Sequence, residues 1–143
     1  MPIANLCVVG GCGHVGLPLA MAFARAGISV VAFDINPVAV DLVNSKTMPF
    51  DEPEAPAILS QIIDAGLFRA STDPADVAKA DAVIVVVGTP VDEHLNPDTQ
   101  AVPDAVAALV PYLRDDQLLV LRSTVYPGVT RLVEERLTAH SMK

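Results

Sequence analysis

Short apolar runs alternate along this chain with longer segments whose apolar residues recur at helical spacing. Ile3, Leu6, Val8 and Val9 form a run too short for an ordinary helix and predict a buried strand, as does Ile28 with residues 29–33. Between them, residues 15–26 have helix length and stop at Gly27, where positive φ is tolerated. Asn36 and Pro37 supply an N-cap and a first-turn proline for a helix to about Ser45, with Val38, Leu42 and Val43 facing the sheet. Residues 46–53 are rich in prolines and acids and resist both helix and strand. Ile58, Leu59, Ile62 and Ile63 predict a helix that stops at Gly66, and residues 67–71 a third strand.

The alternation then becomes stricter. Asp73 and Pro74 start a short helix to about Ala80, and residues 82–87 read as a central strand because they are solidly apolar and rich in β-branched side chains. After a polar stretch at 91–98, a helix begins between Thr99 and Asp104, with Val102, Val106, Leu109, Val110 and Leu113 on one side. Pro111 disturbs its last turns. Residues 117–121 are the next strand, and an amphipathic helix runs from Thr130 to about Leu137. Five alternations of strand and helix imply a doubly wound parallel sheet with right-handed crossovers, in three α/β/α layers.

The punctuation after the first strand carries the chemistry. Gly10-Gly11-Cys12-Gly13-His14-Val15-Gly16 contains Gly-x-Gly-x-x-Gly between a strand and a helix, the Rossmann arrangement. Gly11 would allow the tight turn, Gly13 would let the backbone approach a pyrophosphate, and Gly16 would let the helix pack closely on the sheet. The phosphates would rest on free N–H groups at the helix N-terminus. Asp34 ends the second strand eighteen residues past Gly16, near the roughly twenty-residue spacing of a carboxylate that accepts from an adenosine ribose. Such a carboxylate would repel a 2′-phosphate, so NAD is favoured over NADP. A methyltransferase can hold its nucleoside with a similar turn and acid, and that alternative stays open. Ligands in these sheets bind beyond the carboxyl ends of strands, which brings two further loops to the site, Gly88-Thr89-Pro90 and Ser123-Thr124-Val125.

Bulk properties narrow the classes. The 143 residues suit one domain, and 52% hydrophobic with 4% aromatic fits the aliphatic filling of a sheet covered on both faces. A net charge of −8 argues against a nucleic-acid surface, while backbone amides can still supply positive potential locally. Cys7 and Cys12, in the first strand and the glycine turn, read as buried thiols rather than a disulfide framework or metal site. No signal peptide or membrane span is recognisable, so the expected location is cytoplasmic.

Gly11-x-Gly13-x-x-Gly16-Leu17, Asp34, Met48-Pro49-Phe50-Asp51-Glu52, Gly88-Thr89-Pro90-Val91-Asp92-Glu93, Asn96-Pro97-Asp98 and Ser123-Thr124-Val125-Tyr126-Pro127-Gly128 together resemble the UDP-glucose/GDP-mannose dehydrogenase family, nearest its UDP-N-acetylhexosamine branch. The resemblance covers nearly the whole chain. It implies that residues 1–143 are the NAD-binding domain of an enzyme that oxidises the C6 alcohol of a UDP-sugar to a carboxylate. It further implies that Gly11, Gly13, His14 and Val15 surround the pyrophosphate, Asp34 holds the ribose and Thr89 approaches the nicotinamide side, with Gly16 and Gly88 also among the cofactor-binding residues. Thr124 matches a threonine that touches NAD and positions a water or oxyanion. The family's central helix and its second domain, with nucleophilic cysteine, lysine and asparagine, find no match here, and neither Cys7 nor Cys12 takes the nucleophile's place. The chain alone should therefore bind NAD without turnover, and a homo-oligomer is implied for the full-length form. Ala39 stands where many members carry a basic residue. A non-catalytic NAD-sensing module is the alternative that the same glycine turn permits.

Other polar residues read as ordinary. His14 suits a solvent-facing loop as well as a phosphate contact, and His94 and His140 lack a second ligand at metal-like spacing, so no metal site is expected. Asp51, Glu52 and Glu54, crowded between prolines before a helix, suit solvation and helix capping better than paired catalysis.

Overall fold

The computed structural model describes residues 2–88, 93–96 and 98–141. Strands β1 (Asn5–Val9), β2 (Ser29–Phe33), β3 (Phe68–Ser71), β4 (Ala82–Val85) and β5 (Leu118–Leu121) form one parallel sheet in the order β3-β2-β1-β4-β5. The helices are α1 (Gly16–Arg25), α2 (Pro37–Asn44), α3 (Ala55–Asp64), α4 (Ala101–Leu109) and α5 (Val129–Ser141), with 3₁₀ turns at Pro74–Lys79 and Val110–Tyr112. The chain winds outward from β1 through β2 to β3, then returns to lay β4 along the other side of β1. At that reversal the connections leave β1 and β4 in opposite directions, which opens a crevice at their carboxyl ends.

Strand periodicity of two divides the core in half. Leu6, Val8, Val30, Ala32 and Ile84 pack with α1, α2 and α3, whereas Cys7, Val9, Phe33, Val83 and Val85 pack with α4, α5 and the first 3₁₀ turn. Both strand faces are apolar because both are covered. The edge strands are the exceptions: β3 sets Arg69 and Ser71 on one face, and β5 is open on the other side of the sheet. Leu119 and Leu121 join the second half, but Leu118 is 54% exposed and Val120 is also open on the α1 side.

The predicted alternation is observed, with four differences that have physical causes. The 74–79 segment is 3₁₀ rather than α, capped as expected by Asp73, whose Oδ1 accepts from the Ala75 N–H at 2.9 Å. Helix α5 extends to Ser141, past the predicted end at Leu137. Strand β4 ends at Val85 because the Val87 N–H donates to Ser123 Oγ at 2.8 Å and leaves the ladder. Helix α2 is rotated from the predicted phase: Val43 is buried as expected, but Val40 joins it while Val38 and Leu42 are exposed. Apolar residues occupy nearly every face of that helix, so hydrophobicity does not set its phase. Asn44 sets it, since its amide pairs with the edge of β3, donating to Ala70 O at 3.0 Å and accepting from the Ala70 N–H at 2.9 Å.

One buried charge sits in this frame. Asp76 is 3% exposed and receives Arg69 in a two-toothed pair at 3.0 and 2.6 Å and Lys79 at 2.8 Å. The Arg69 hydrogen bonds hold the Asp76 carboxyl well below the usual carboxylate range, against the opposing effect of burial. A depressed folded value means that this stabilisation is complete above the unfolded carboxylate pKa, about 4, and is lost as pH falls toward the folded one. Asp76→Asn is expected to cost about 1.5–3 kcal/mol at pH 7, and urea unfolding at a series of pH values should show the gap from the parent narrowing below about pH 4.

Candidate functional site

The turn after β1 is clipped to the end of β2: the N–H groups of Gly10 and Gly11 both donate to Phe33 O, at 2.9 and 3.0 Å. Gly10 has φ +78°, and a Cβ there would lie 2.1 Å from Val86 O. The left-handed residue of the turn is therefore Gly10 and not Gly11. Gly11 serves close packing instead, since its Cβ would stand 2.7 Å from the Ala32 Cα. Gly16 lets the start of α1 press on the turn rather than on the sheet, because its Cβ would fall 2.0 Å from Gly10 O. Gly13 differs from these three. Its Cβ would meet nothing nearer than Gly10 O at 3.5 Å, an ordinary contact, so no packing inside the chain demands a glycine there.

Hydrogen-bond accounting shows what the turn offers. The Gly13 N–H donates to Gly10 O at 3.3 Å and the Leu17 N–H to Gly13 O at 3.0 Å. His14, Val15 and Gly16 have no acceptor for their N–H groups among the described residues, and α1 carries no side-chain cap and no acid in its first turn. Three orphan donors at the positive end of a helix make a seat for an anion. Next to it, Asp34 is held by the Cys12 N–H, which donates to Oδ2 at 3.1 Å, and the Asn36 N–H, which donates to Oδ1 at 3.0 Å. Each carboxylate oxygen keeps capacity for another donor.

The turn, the end of β4 and the end of β5 enclose one groove of about 360 Å³. Gly13, His14, Val15, Gly16, Gly88 and Thr124 meet along it. Gly11 and Asp34 do not border it: the first is packed on β2, and the second stands at the end of β2 beside the turn. Thr89 lies outside the described residues. Ser123 braces the far wall, accepting from the Val87 N–H and donating to Val85 O at 3.4 Å. Thr124 is exposed, has no hydrogen bond among the described residues, and does not cap α5, which starts only at Val129. These residues can seat a charged, elongated ligand along the strand ends, with a hydroxyl at the β5 end.

Four wall residues carry no site role in the sequence reading: Gly10, Arg122, and Val86 and Val87, which are read there only as strand. Gly10 precedes the recognised glycine pattern, and Arg122 precedes the recognised Ser-Thr-Val, so each lies one residue outside the signal. His14 is tied to the acidic loop, stacking on Phe50 with ring centroids 4.3 Å apart at 18°. Glu54 occupies the N-cap position of α3 at φ +66° without a side-chain capping bond. Both thiols are buried and pushed up to about 12, chiefly by burial, with further raising by Asp76 at Cys7 and by Asp34 at Cys12. Neither is a nucleophile at neutral pH. Among the described residues no cluster of His, Cys, Asp and Glu could hold a metal ion, and no helix is long and apolar enough to cross a membrane.

Residues 4–143 match the family model described as the UDP-glucose/GDP-mannose dehydrogenase family, NAD binding domain. The chain is 35% identical over 137 residues to UDP-N-acetyl-D-mannosamine dehydrogenase of Escherichia coli K12, an overlap of 96% of this chain and 32% of that protein. It is 34% identical over 131 residues to an NDP-N-acetyl-D-galactosaminuronic acid dehydrogenase of Ralstonia nicotianae, covering 92% of this chain and 30% of that one. Among solved structures, a ternary complex of GDP-mannose dehydrogenase from Pseudomonas aeruginosa superposes with TM-score 0.88 at 27% identity, covering 96% of this chain and 33% of that one. The chain thus spans about a third of the length of these proteins.

The contrast between the glycines is testable. Gly13→Ala is expected to fold with unchanged stability or up to about 1 kcal/mol more, through reduced unfolded-state entropy, while its affinity for NAD falls. Gly10→Ala, strained in φ and in collision with Val86, should lose more than about 1 kcal/mol. Melting midpoints with and without NAD separate the two; equal NAD affinity in Gly13→Ala and the parent would remove the pyrophosphate from this turn.

Proposed function

Because this chain belongs to the UDP-glucose/GDP-mannose dehydrogenase family, as its NAD-binding domain, we propose that it is the cofactor half of a nucleotide-sugar 6-dehydrogenase. The observation that carries the proposal is the row of unengaged N–H groups at His14, Val15 and Gly16, beside an Asp34 already oriented by Cys12 and Asn36. The pyrophosphate would be held on those donors, the adenosine ribose hydroxyls on the free lone pairs of Asp34, and the nicotinamide toward Gly88, Thr89 and Thr124. Bound there, NAD supplies the two-electron acceptor for oxidation of a sugar C6 alcohol to the carboxylate. Thr124 is the chain's own catalytic residue in this reading: its unengaged hydroxyl at the β5 end would position a water or oxyanion at the reacting carbon.

The substrate is a UDP-sugar, with a UDP-N-acetylhexosamine favoured by the 35% and 34% identities to enzymes named for N-acetylated sugars. The substrate-side groups would lie outside these 143 residues, for the relatives are about three times as long. The product, a sugar nucleotide bearing a carboxylate, places the whole enzyme in the supply of precursors for polysaccharide synthesis. The buried free thiols of this chain, Cys7 and Cys12, support a reducing, cytoplasmic setting. A homo-oligomer completes the proposal for the whole enzyme.

Calorimetric titration tests the cofactor assignment. NAD is expected to bind and NADP to bind at least about tenfold more weakly, since a 2′-phosphate would face the Asp34 carboxylate; Asp34→Asn should narrow that ratio. A folded chain that binds no NAD overturns the assignment. Mixed with NAD and a UDP-N-acetylhexosamine, the 143-residue chain alone should produce no NADH, and production of NADH would show that its own residues suffice for turnover.

A further inference from the structure

Arg122 is the first residue past β5, and its N–H donates to Val85 O at 2.9 Å, which sets it level with the end of β4. Alternation along β5 turns Leu119 and Leu121 toward α4 and α5, and so turns Leu118, Val120 and Arg122 toward the side on which α1 begins. On that side Arg122 borders the same groove as Gly13 and His14. Five other cations of this acidic chain, Lys46, Arg69, Lys79, Arg114 and Arg136, each lie within ion-pair distance of a carboxylate, and Arg25 and Arg131, which do not among the described residues, lie away from the groove. Arg122 has no carboxylate partner and no side-chain hydrogen bond among the described residues.

An exposed guanidinium left unpaired in a protein of net charge −8, on the wall of a groove whose other wall presents orphan amide donors, calls for an anionic ligand. We infer that Arg122 binds the dinucleotide pyrophosphate from the β5 wall, completing a seat whose opposite wall is the glycine turn. The inference deepens the cofactor assignment and rests on it. Backbone N–H groups carry only partial charges, while the guanidinium contributes a full charge and paired donors that match phosphate oxygens. It also offsets, close to the ligand, the repulsion that the rest of the chain exerts on a doubly charged pyrophosphate.

Binding of NAD and of ADP-ribose, which keeps the pyrophosphate and lacks the nicotinamide, can be measured for the parent, Arg122→Ala and Arg122→Lys at low and moderate salt. Arg122→Ala is expected to weaken both ligands by about tenfold or more and to flatten the salt dependence, with Arg122→Lys between it and the parent. Its melting temperature without ligand should match the parent's, because the side chain holds nothing inside the protein. Affinities for both ligands within about twofold of the parent overturn the proposal, as does a loss confined to NAD, which would put Arg122 at the nicotinamide. A parent chain that binds neither ligand overturns the cofactor assignment itself, and this proposal with it.

Discussion

The site depends on how closely three backbones meet around Gly10. The Gly10 carbonyl receives the first residue of α1 so closely that a Cβ at Gly16 would lie 2.0 Å from it, and a Cβ at Gly10 would lie 2.1 Å from Val86 O of the neighbouring strand. Phe33 O closes the third side by accepting from Gly10 and Gly11 together. With glycines removing every side chain from this junction, α1 starts directly above the sheet edge, and its unpaired N–H groups face the crevice between β1 and β4. A bulkier residue at any of these points would move the helix start, and with it the donors that the proposed pyrophosphate would occupy.

The rest of the sheet positions what the junction cannot. Asp34 owes its orientation to the same turn, through the Cys12 N–H, so ribose and pyrophosphate positions would be set by one rigid piece of backbone. At the other end, Ser123 takes the Val87 N–H and ties the end of β5 to the end of β4, which leaves Thr124 and Arg122 on the groove wall. Hydroxyls at neighbouring positions thus do different work: Ser123 is consumed by the fold, and Thr124 remains available. The buried thiols of Cys7 and Cys12 are likewise part of the packing. Their reactivity is suppressed by burial and by neighbouring carboxylates.

Legibility in the sequence followed the strength of the local signal. The capping pairs Asn36-Pro37 and Asp73-Pro74 mark their helix starts correctly because a cap is a contact between residues two or three apart. The doubly wound parallel sheet and the groove's place beyond the strand ends follow from the alternation of elements, since such a sheet leaves few topologies. Helix α2 was not legible in its rotation. Its apolar residues surround it, and the deciding bond joins Asn44 to Ala70, twenty-six residues away.

By itself the sequence determined the elements, the glycine turn, the acid at the end of β2 and the family that shares them, because these rest on spacing and residue type. Tertiary structure decided which glycine does what, and which polar groups are spent or spare. Gly13 is recognised as the glycine without a packing reason only when the neighbours of Gly10, Gly11 and Gly16 are in place. Ser123 and Thr124 are equivalent hydroxyls in the sequence and separate only when Val87 claims one of them. Arg122 gains meaning only when the end of β5 is brought beside the start of α1, more than one hundred residues earlier. Distances between remote segments fix these distinctions, and no local pattern of residues encodes them.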